Sequence, residues 1–291
     1  MDVLAPYRSH HAVEAFVARG VSEVIGHSSE GRPLHAVTLG PADARRVTVV
    51  LAGIHALEWI GVEVGLALLE RLRETPPVDR RVLFFPLVNV DGYCAVERDR
   101  LAGRRRFRRG NARGVDLNRN FPTHFRAPRL LDRLVPIWNP GSRARSEPEI
   151  DAVVARIDRE VAAGATVDRG LSLHSVGNKI LHAYGGRWTP PVAVDRLRAI
   201  ARAVRDRMHA PYEVLQSSRW VPGAFAHGME LDHLCDAYGA EALLIECSRG
   251  GASLAAPRTL KDPFAWFNPA DPRQTVDAIV PALEWFVGGH G

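Results

Sequence analysis

The sequence predicts an α/β fold: a single three-layer α/β/α domain over residues 1–291, built around a mixed, mostly parallel central sheet. Three observations support this prediction. Strand-like and helix-like segments alternate along most of the chain, as is typical of layered α/β proteins. The segment Glu241–Cys247 (EALLIEC) is almost wholly apolar, as expected for a central strand buried on both faces. The 291 residues contain no repeat, low-complexity tract or interdomain linker.

The predicted strands are short apolar runs bounded by glycine, proline or polar residues. They are Pro33–Gly40, Arg46–Ala52, Val82–Val88, Gly170–Ser175 and Glu241–Cys247. The third is followed by the sequence NVDG at Asn89–Gly92, which is typical of a turn.

Helices are predicted from the spacing of apolar residues and from capping residues. They cover Val62–Arg73, Ser146–Ala163, Asp195–His209 and Asp271–Phe286. In the second helix, Ser146 and Glu149 form a capping-box pattern. The residues expected to face the core are Val153, Val154, Ile157 and Val161 in the second helix and Val276, Ile279 and Leu283 in the last. Two long segments, Phe121–Arg145 and Ser217–His233, are irregular, and such loops are usually functional or disordered.

Composition narrows the class of protein. The formal net charge is +5, but only two of the 38 basic residues are lysine, which indicates a bias towards arginine codons. The densest basic stretch, Arg100–Phe121, lacks the interleaved aromatic residues of a base-stacking surface, so we expect no nucleic-acid partner. No apolar run approaches the roughly 20 residues of a membrane helix. Three widely spaced cysteines and the absence of a signal-peptide pattern predict a cytoplasmic protein.

The most informative local feature is the pair His55 and Glu58. Both residues follow the apolar strand Arg46–Ala52, just past the break at Gly53. In open α/β sheets, ligands bind where strands end. A histidine and a glutamate three residues apart at such a point can reach one metal ion. The pattern His-x-x-Glu also occurs at His11, His27 and His227, but only this pair follows a strongly apolar strand.

Two more strand ends carry residues suited to metal chemistry. His174 ends the strand Gly170–Ser175 and is the best candidate for a third ligand. Three protein ligands would leave a fourth zinc position for water. Glu246 lies within the apolar strand Glu241–Cys247, where a carboxylate is costly without a partner or a task. Two interpretations of Glu246 remain open. It could be a general base for hydrolysis, or it could form a structural ion pair with an arginine.

The segment Gly114–Phe121 (GVDLNRNF) places Asn118 beside Arg119. A guanidinium can bind a carboxylate through two hydrogen bonds, and an amide adds a donor. This pair predicts a site for an anionic substrate terminus. The sequence contains no Gly-x-Gly-x-x-Gly motif, phosphate-loop lysine motif or Gly-x-Ser-x-Gly nucleophile elbow.

Five separated motifs, GIHALEWIG, GVDLNRNF, SEPE, LSLHS and ALLIEC, occur in an order that resembles the carboxypeptidase A-like zinc metallocarboxypeptidase family. The resemblance covers roughly residues 24–247 and implies one zinc ion per chain. It implies His55, Glu58 and His174 as zinc ligands and Glu246 as general base and acid. It further implies three roles outside the metal-ligand set: Arg108 polarises the scissile carbonyl, Asn118 and Arg119 bind the substrate's α-carboxylate, and Asp116 orients the first zinc histidine.

The chain departs from the family pattern at several positions. Leu57 replaces the arginine that pancreatic-type members carry between the first two zinc ligands, and the stretch Trp220–His233 lacks their mobile tyrosine. Phe225 and Trp220 are the aromatic residues available to fill that space. Leu231 aligns with the base of the pocket for the departing residue, which predicts release of an apolar or aromatic residue. A one-residue shift would put the carboxylate of Glu230 there instead.

Three functions remain open from the sequence. The leading prediction is a zinc carboxypeptidase acting on a peptide with a free carboxylate. The first alternative is a zinc amidohydrolase acting on N-acyl amino acids or cell-wall peptides. The second is an arginine-rich nucleic-acid binder, which the complete set of candidate ligands and base disfavours.

Overall fold

The computed structural model describes residues 4–128, 139–221, 223 and 225–289. Eight strands form one mixed sheet with the order β1-β2-β4-β3-β5-β8-β6-β7. The strands are β1 Ser22–His27, β2 Pro33–Leu39, β3 Arg46–Ala52, β4 Arg81–Phe85, β5 Thr166–His174, β6 Lys179–His182, β7 Glu213–Gln216 and β8 Glu241–Glu246. The four central strands β4, β3, β5 and β8 are mutually parallel, and antiparallel pairs flank them.

Helices cover both faces of this sheet, in agreement with the predicted α/β class. They are α1 His10–Val17, α2 Trp59–Glu74, α3 Val90–Leu101, α4 Pro148–Ala162, α5 Val194–Arg205, α6 Glu230–Tyr238, α7 Pro263–Phe267 and α8 Pro272–Val287. One apolar cluster joins the sheet to α1, α2, α3, α5 and α8. A second joins the opposite face to α4 and α6.

Alternation along β3 explains why this strand lies in the middle of the protein. Val50 and Ala52 pack in the first cluster, whereas Val49 and Leu51 pack in the second. Each of these side chains is fully buried. A β-branched, apolar strand that buries both faces is stable only between two helical layers. Its carboxyl end is thereby fixed in the interior, where a polar residue needs a partner.

Several elements differ from the prediction. The NVDG segment opens a helix rather than a simple turn, because the Asn89 side chain accepts a hydrogen bond from the backbone N–H of Gly92 and caps α3. The capping box at Ser146 does not form: α4 starts at Pro148, and the Glu149 carboxylate instead accepts a hydrogen bond from Asn111. Val161 is 42% exposed, so it lies outside the core-facing side of α4.

The prediction missed strands β1, β6 and β7 and helices α3 and α6. The three strands lie at or near the sheet edges; β6 and β7 have four residues each, and β1 contains no fully buried residue. Such strands carry a weak hydrophobic pattern. Helix α6 begins inside the segment predicted to be irregular, Ser217–His233. Residues 129–138 of the other irregular segment lie outside the described residues.

The fold places the carboxyl ends of three neighbouring strands side by side. Strands β3, β5 and β8 run parallel and adjacent to one another, and His174 is paired in register with Glu246. Gly53, with a φ of 66°, turns the chain out of β3. A Cβ atom there would lie 2.6 Å from the Leu87 side chain, so glycine is required. Among the described residues, no helix is both long and apolar enough to cross a membrane.

Candidate active site

The three predicted metal ligands converge on one buried point. Nδ1 of His55 lies 2.8 Å from Oε1 of Glu58. Nδ1 of His174 lies 3.0 Å from both His55 Nδ1 and Glu58 Oε2. All three side chains are at most 3% exposed. Two imidazole nitrogens and a carboxylate oxygen form a donor set that catalytic zinc sites use. Elsewhere in the described ranges, no other group of His, Cys, Asp and Glu side chains brings three ligand atoms so close together.

In each histidine, the ring nitrogen Nε2 contacts a carboxylate. The Nε2 of His55 lies 3.1 Å from Oδ1 of Asp116, the residue expected from the sequence. The Nε2 of His174 lies 2.9 Å from Oε1 of Glu230, a contact that the sequence reasoning missed. These pairs assign the N–H of each ring to Nε2 and turn the Nδ1 lone pairs towards the common point. Carboxylate–histidine pairs of this kind orient metal ligands in proteins.

The electrostatics of the cluster favour charged groups. Burial lowers the pKa of His174, but the charge of Glu230 and the hydrogen bonds that Glu230 and Glu58 accept from the imidazole outweigh it and raise the pKa to about 10. Burial raises the pKa of Glu58, yet His55 and His174 hold it well below its ordinary value. A metal ion bound here competes with a proton for the same nitrogen.

Glu246 lies beside His174, on the neighbouring strand β8, and lines the same cavity. It is 5% exposed, and its Oε2 atom has no hydrogen-bond partner in the part of the chain that the structure describes. Burial, followed by the charge of Glu58, raises the pKa of Glu246 well above its ordinary value. A carboxylate of raised pKa in a cleft is well suited to exchanging protons with a substrate.

The arginine assignment from the sequence requires correction. Arg108 points away from the cavity, because its Nε donates to Asp99 at 2.5 Å and its side chain is 34% exposed. Arg109 lines the cavity instead. Its Nε donates to Oδ2 of Asp116 at 2.8 Å, and its Nη1 donates to Oε1 of Glu58 at 3.3 Å. The two arginines are adjacent in an irregular segment, where no periodicity distinguishes the inward from the outward side chain.

Asn118 and Arg119 lie on a short 3-10 turn at the cavity wall. The Asp116 side chain caps this turn by accepting from the Asn118 backbone N–H at 3.0 Å. The amide oxygen of Asn118 accepts from the backbone N–H of Glu230 at 3.1 Å. The amide group is therefore oriented with its NH2 donors available for another partner. The predicted binding pair for a carboxylate lies in the same cavity as the metal cluster.

Apart from Ser175 and Ser217, the remainder of the cavity lining is apolar. The cavity volume is about 360 Å³, and its apolar lining comprises Val176, Leu181, Trp220, Val221, Ala226, Met229, Leu244 and Phe267. Leu231, predicted at the pocket base, is fully buried and does not line the cavity. Met229 is the residue of this segment that does. The difference arises because α6 begins at Glu230 and turns Leu231 into the core.

The positions that depart from the family pattern also have defined surroundings. The Leu57 side chain is 2% exposed and packs in the first apolar cluster, away from the cavity. Of the two aromatic candidates, Trp220 lines the cavity, whereas Phe225 does not.

Comparison with known proteins agrees with this geometry. A sequence model described as zinc carboxypeptidase matches residues 18–240. Mast cell carboxypeptidase A of Mus musculus is 27% identical over 216 residues, which is 69% of this chain and 50% of that protein. Carboxypeptidase A6 of Homo sapiens is 31% identical over 179 residues, 56% of this chain and 40% of that protein. The chain spans about half the length of the curated relatives it matches or less.

Solved structures share the fold. Bovine thrombin-activatable fibrinolysis inhibitor, in complex with tick carboxypeptidase inhibitor, superposes with a TM-score of 0.77 at 21% identity, covering 98% of this chain and 97% of that one. The murein-tripeptide amidase MpaA of Escherichia coli O157 superposes with a TM-score of 0.54 at 21% identity, covering 93% and 92%. Since the family model matches well over half of its residues, the chain belongs to the zinc carboxypeptidase family.

Proposed function

We propose that this chain is a zinc-dependent carboxypeptidase that hydrolyses the C-terminal amide bond of a peptide and releases an apolar or aromatic residue. One observation carries the proposal. The cluster of His55, Glu58 and His174 shares a single cavity with a buried carboxylate, a partly buried arginine and an amide–guanidinium pair. Together these groups could bind, polarise and cleave an amide that lies next to a free carboxylate.

The proposed metal ligands are His55, Glu58 and His174. Zinc bound there would supply a Lewis acid that polarises a carbonyl and lowers the pKa of water. Asp116 and Glu230 hold the two imidazoles in the tautomer that points Nδ1 inward.

Proton transfer is assigned to Glu246. Among the residues that the structure describes, its Oε2 has no hydrogen-bond partner, so we assign to it the proton of the attacking water and delivery of that proton to the departing amine. Arg109 retains N–H donors beyond those used by Asp116 and Glu58, because a guanidinium carries five. We assign those donors to the oxyanion that develops on the scissile carbonyl.

Substrate orientation is assigned to Asn118 and Arg119, which would bind the terminal carboxylate. The side chain of the departing residue would then occupy the apolar part of the cavity beside Met229, Leu244 and Leu181. Burying an apolar side chain contributes roughly 1.5–3 kcal/mol, which corresponds to a preference of about tenfold to a hundredfold over a charged residue.

The substrate assignment is tested with a series of peptides that are blocked at the N-terminus, have a free C-terminal carboxylate and end in Phe, Leu, Lys, Arg or Glu. The expected result is release of the last residue, with the highest kcat/KM for Phe and Leu. Faster cleavage of the Lys and Arg peptides would contradict the apolar preference and point to a carboxylate in the pocket.

The second candidate is hydrolysis of a non-peptide amide in an N-acyl amino acid or a cell-wall peptide. It is supported by the lack of a tyrosine between Trp220 and His233 and by Trp220 and Val221 in the cavity wall. The structural neighbour MpaA is itself a murein-tripeptide amidase. Activity on acyl amino acids or murein peptides, with none on the peptide series, would favour this candidate.

We also propose a cytoplasmic location. Cys94, Cys235 and Cys247 are all free thiols in the structure, as is usual in a reducing compartment. Fractionation of the source cells, with detection of the chain in the soluble cytoplasmic or the exported fraction, tests this assignment.

A further inference from the structure

Glu230 is a fully buried carboxylate that contacts the metal cluster without belonging to it. It is the first residue of α6 and has no exposed surface. Its Oε1 accepts from the Ser172 hydroxyl at 2.9 Å and lies 2.9 Å from His174 Nε2. A buried carboxylate is costly unless it is paired and hydrogen-bonded. Its position therefore reflects a specific pairing with His174.

That pairing fixes the orientation of the imidazole. With Nε2–H donated to Glu230, the lone pair of His174 is on Nδ1, and Nδ1 faces His55 and Glu58 at 3.0 Å. Ser172 lies two residues before His174 on β5 and faces the same carboxylate. The ring is thus held between a strand residue and a helix residue. Without Glu230, the ring could rotate or adopt the other tautomer.

Glu230 also contacts the opposite side of the cavity through its backbone. Its N–H donates to the amide oxygen of Asn118 at 3.1 Å. The side chain of Glu230 therefore contacts the metal side of the site, while its main chain contacts the side assigned to the substrate carboxylate. Replacing the side chain leaves the second contact intact, so the two effects can be separated by experiment.

We propose that Glu230 is a positioning residue that holds His174 in its metal-binding tautomer and orientation, and that it thereby controls how tightly the chain retains zinc. This inference rests on the proposed function, because it takes His174 as a zinc ligand. Loss of such an outer carboxylate typically weakens metal affinity by about 10- to 100-fold.

The test compares Glu230→Gln with the wild-type chain and with Glu63→Gln. Glu63 is a matched control, since it is also buried and hydrogen-bonded, but to Arg8, outside the cavity. The zinc dissociation constant is measured by competition with a chelator of known affinity. We expect about a 10- to 100-fold rise for Glu230→Gln and less than a threefold change for Glu63→Gln. The melting temperature of the zinc-free protein should stay close to that of the wild type.

Kinetics at saturating zinc provide the second readout. KM should change little in Glu230→Gln, because the backbone contact with Asn118 remains. If Glu230→Gln fails to fold, Ser172→Ala removes the hydroxyl that fixes Oε1 and should raise the zinc dissociation constant by a smaller factor.

Two further results separate failure of this inference from failure of the proposed function. Wild-type zinc affinity in Glu230→Gln, with zinc lost in His174→Ala, would overturn the role of Glu230 alone. Unchanged zinc binding in His174→Ala would overturn both.

Discussion

Replacing Arg109 by alanine should remove most of the turnover of this protein, whereas the same change at Arg108 should not. The two residues are adjacent and chemically identical, but their side chains diverge. Arg109 contacts Asp116 and Glu58 in the cavity, and Arg108 contacts Asp99 outside it. Arg108→Ala is therefore a matched control for Arg109→Ala, because the two arginines differ only in whether the side chain lies in the cavity.

The expected magnitude follows from these contacts. Removing one preorganised donor to a developing oxyanion typically costs about 10²–10³-fold in kcat, roughly 2.7–4 kcal/mol. At position 108, Asp99 keeps its ion pair with Arg104 at 2.9 Å. The lost pair is also partly exposed, with 34% of the Arg108 side chain accessible, so its contribution should be at most about 1 kcal/mol.

The assay measures kcat and KM for both variants on one peptide substrate, together with zinc content. Arg109→Ala should lower kcat by about 100-fold or more with a smaller change in KM, because its charge matters most as the oxyanion develops. Zinc content should remain near one per chain, since Asp116 keeps its contact with His55. A wild-type kcat in Arg109→Ala, or a larger loss in Arg108→Ala, would refute the assignment.

Three more outcomes are expected. Glu246→Gln should keep zinc and fold but lose about 10²–10⁴-fold in kcat; unchanged turnover would remove the proposed base. Met229→Asp should shift the preference from Phe to Lys and Arg substrates in kcat/KM comparisons, because Met229 lines the apolar part of the cavity; an unchanged preference would exclude it from the pocket. Burial lowers the pKa of His233 to about 4, so acid protonates the unfolded chain first and stability falls between about pH 6.5 and 4. His233→Phe should reduce the loss measured by urea unfolding between pH 7 and 4.5 by about 2–3 kcal/mol, and an equal loss in both proteins would contradict this.

The residues at strand ends could be predicted from the sequence for a physical reason. The end of an apolar, β-branched run in the sequence shows where a buried strand ends, and parallel strands bring their carboxyl ends together. His55, Glu58, His174 and Glu246 all follow or end such strands, and the structure gathers them around one cavity.

The site residues that the prediction missed lie in segments whose apolar residues show no regular spacing. Arg108 and Arg109 could not be distinguished, because a one-residue shift in an irregular chain reverses the direction of a side chain. Leu231 and Met229 are two positions apart in a segment predicted to be irregular, so the sequence could not tell which of them lines the pocket. The contact between Glu230 and His174 joins positions 56 residues apart, and no local pattern encodes it. A carboxylate between two apolar residues, Met229 and Leu231, was the available signal, and the sequence also allowed a pocket role for Glu230.

The proposed function requires that the cavity bind a free terminal carboxylate beside a zinc-dependent hydrolytic centre. The most direct test compares one peptide with its C-terminally amidated twin, using zinc-loaded protein and product detection by mass spectrometry. Two charge-assisted contacts from Asn118 and Arg119 to the carboxylate, at about 1.5–3 kcal/mol each, predict at least a 100-fold higher kcat/KM for the free peptide, with cleavage at the last bond only. Equal cleavage of both peptides, or cleavage at internal bonds, would contradict the carboxypeptidase proposal.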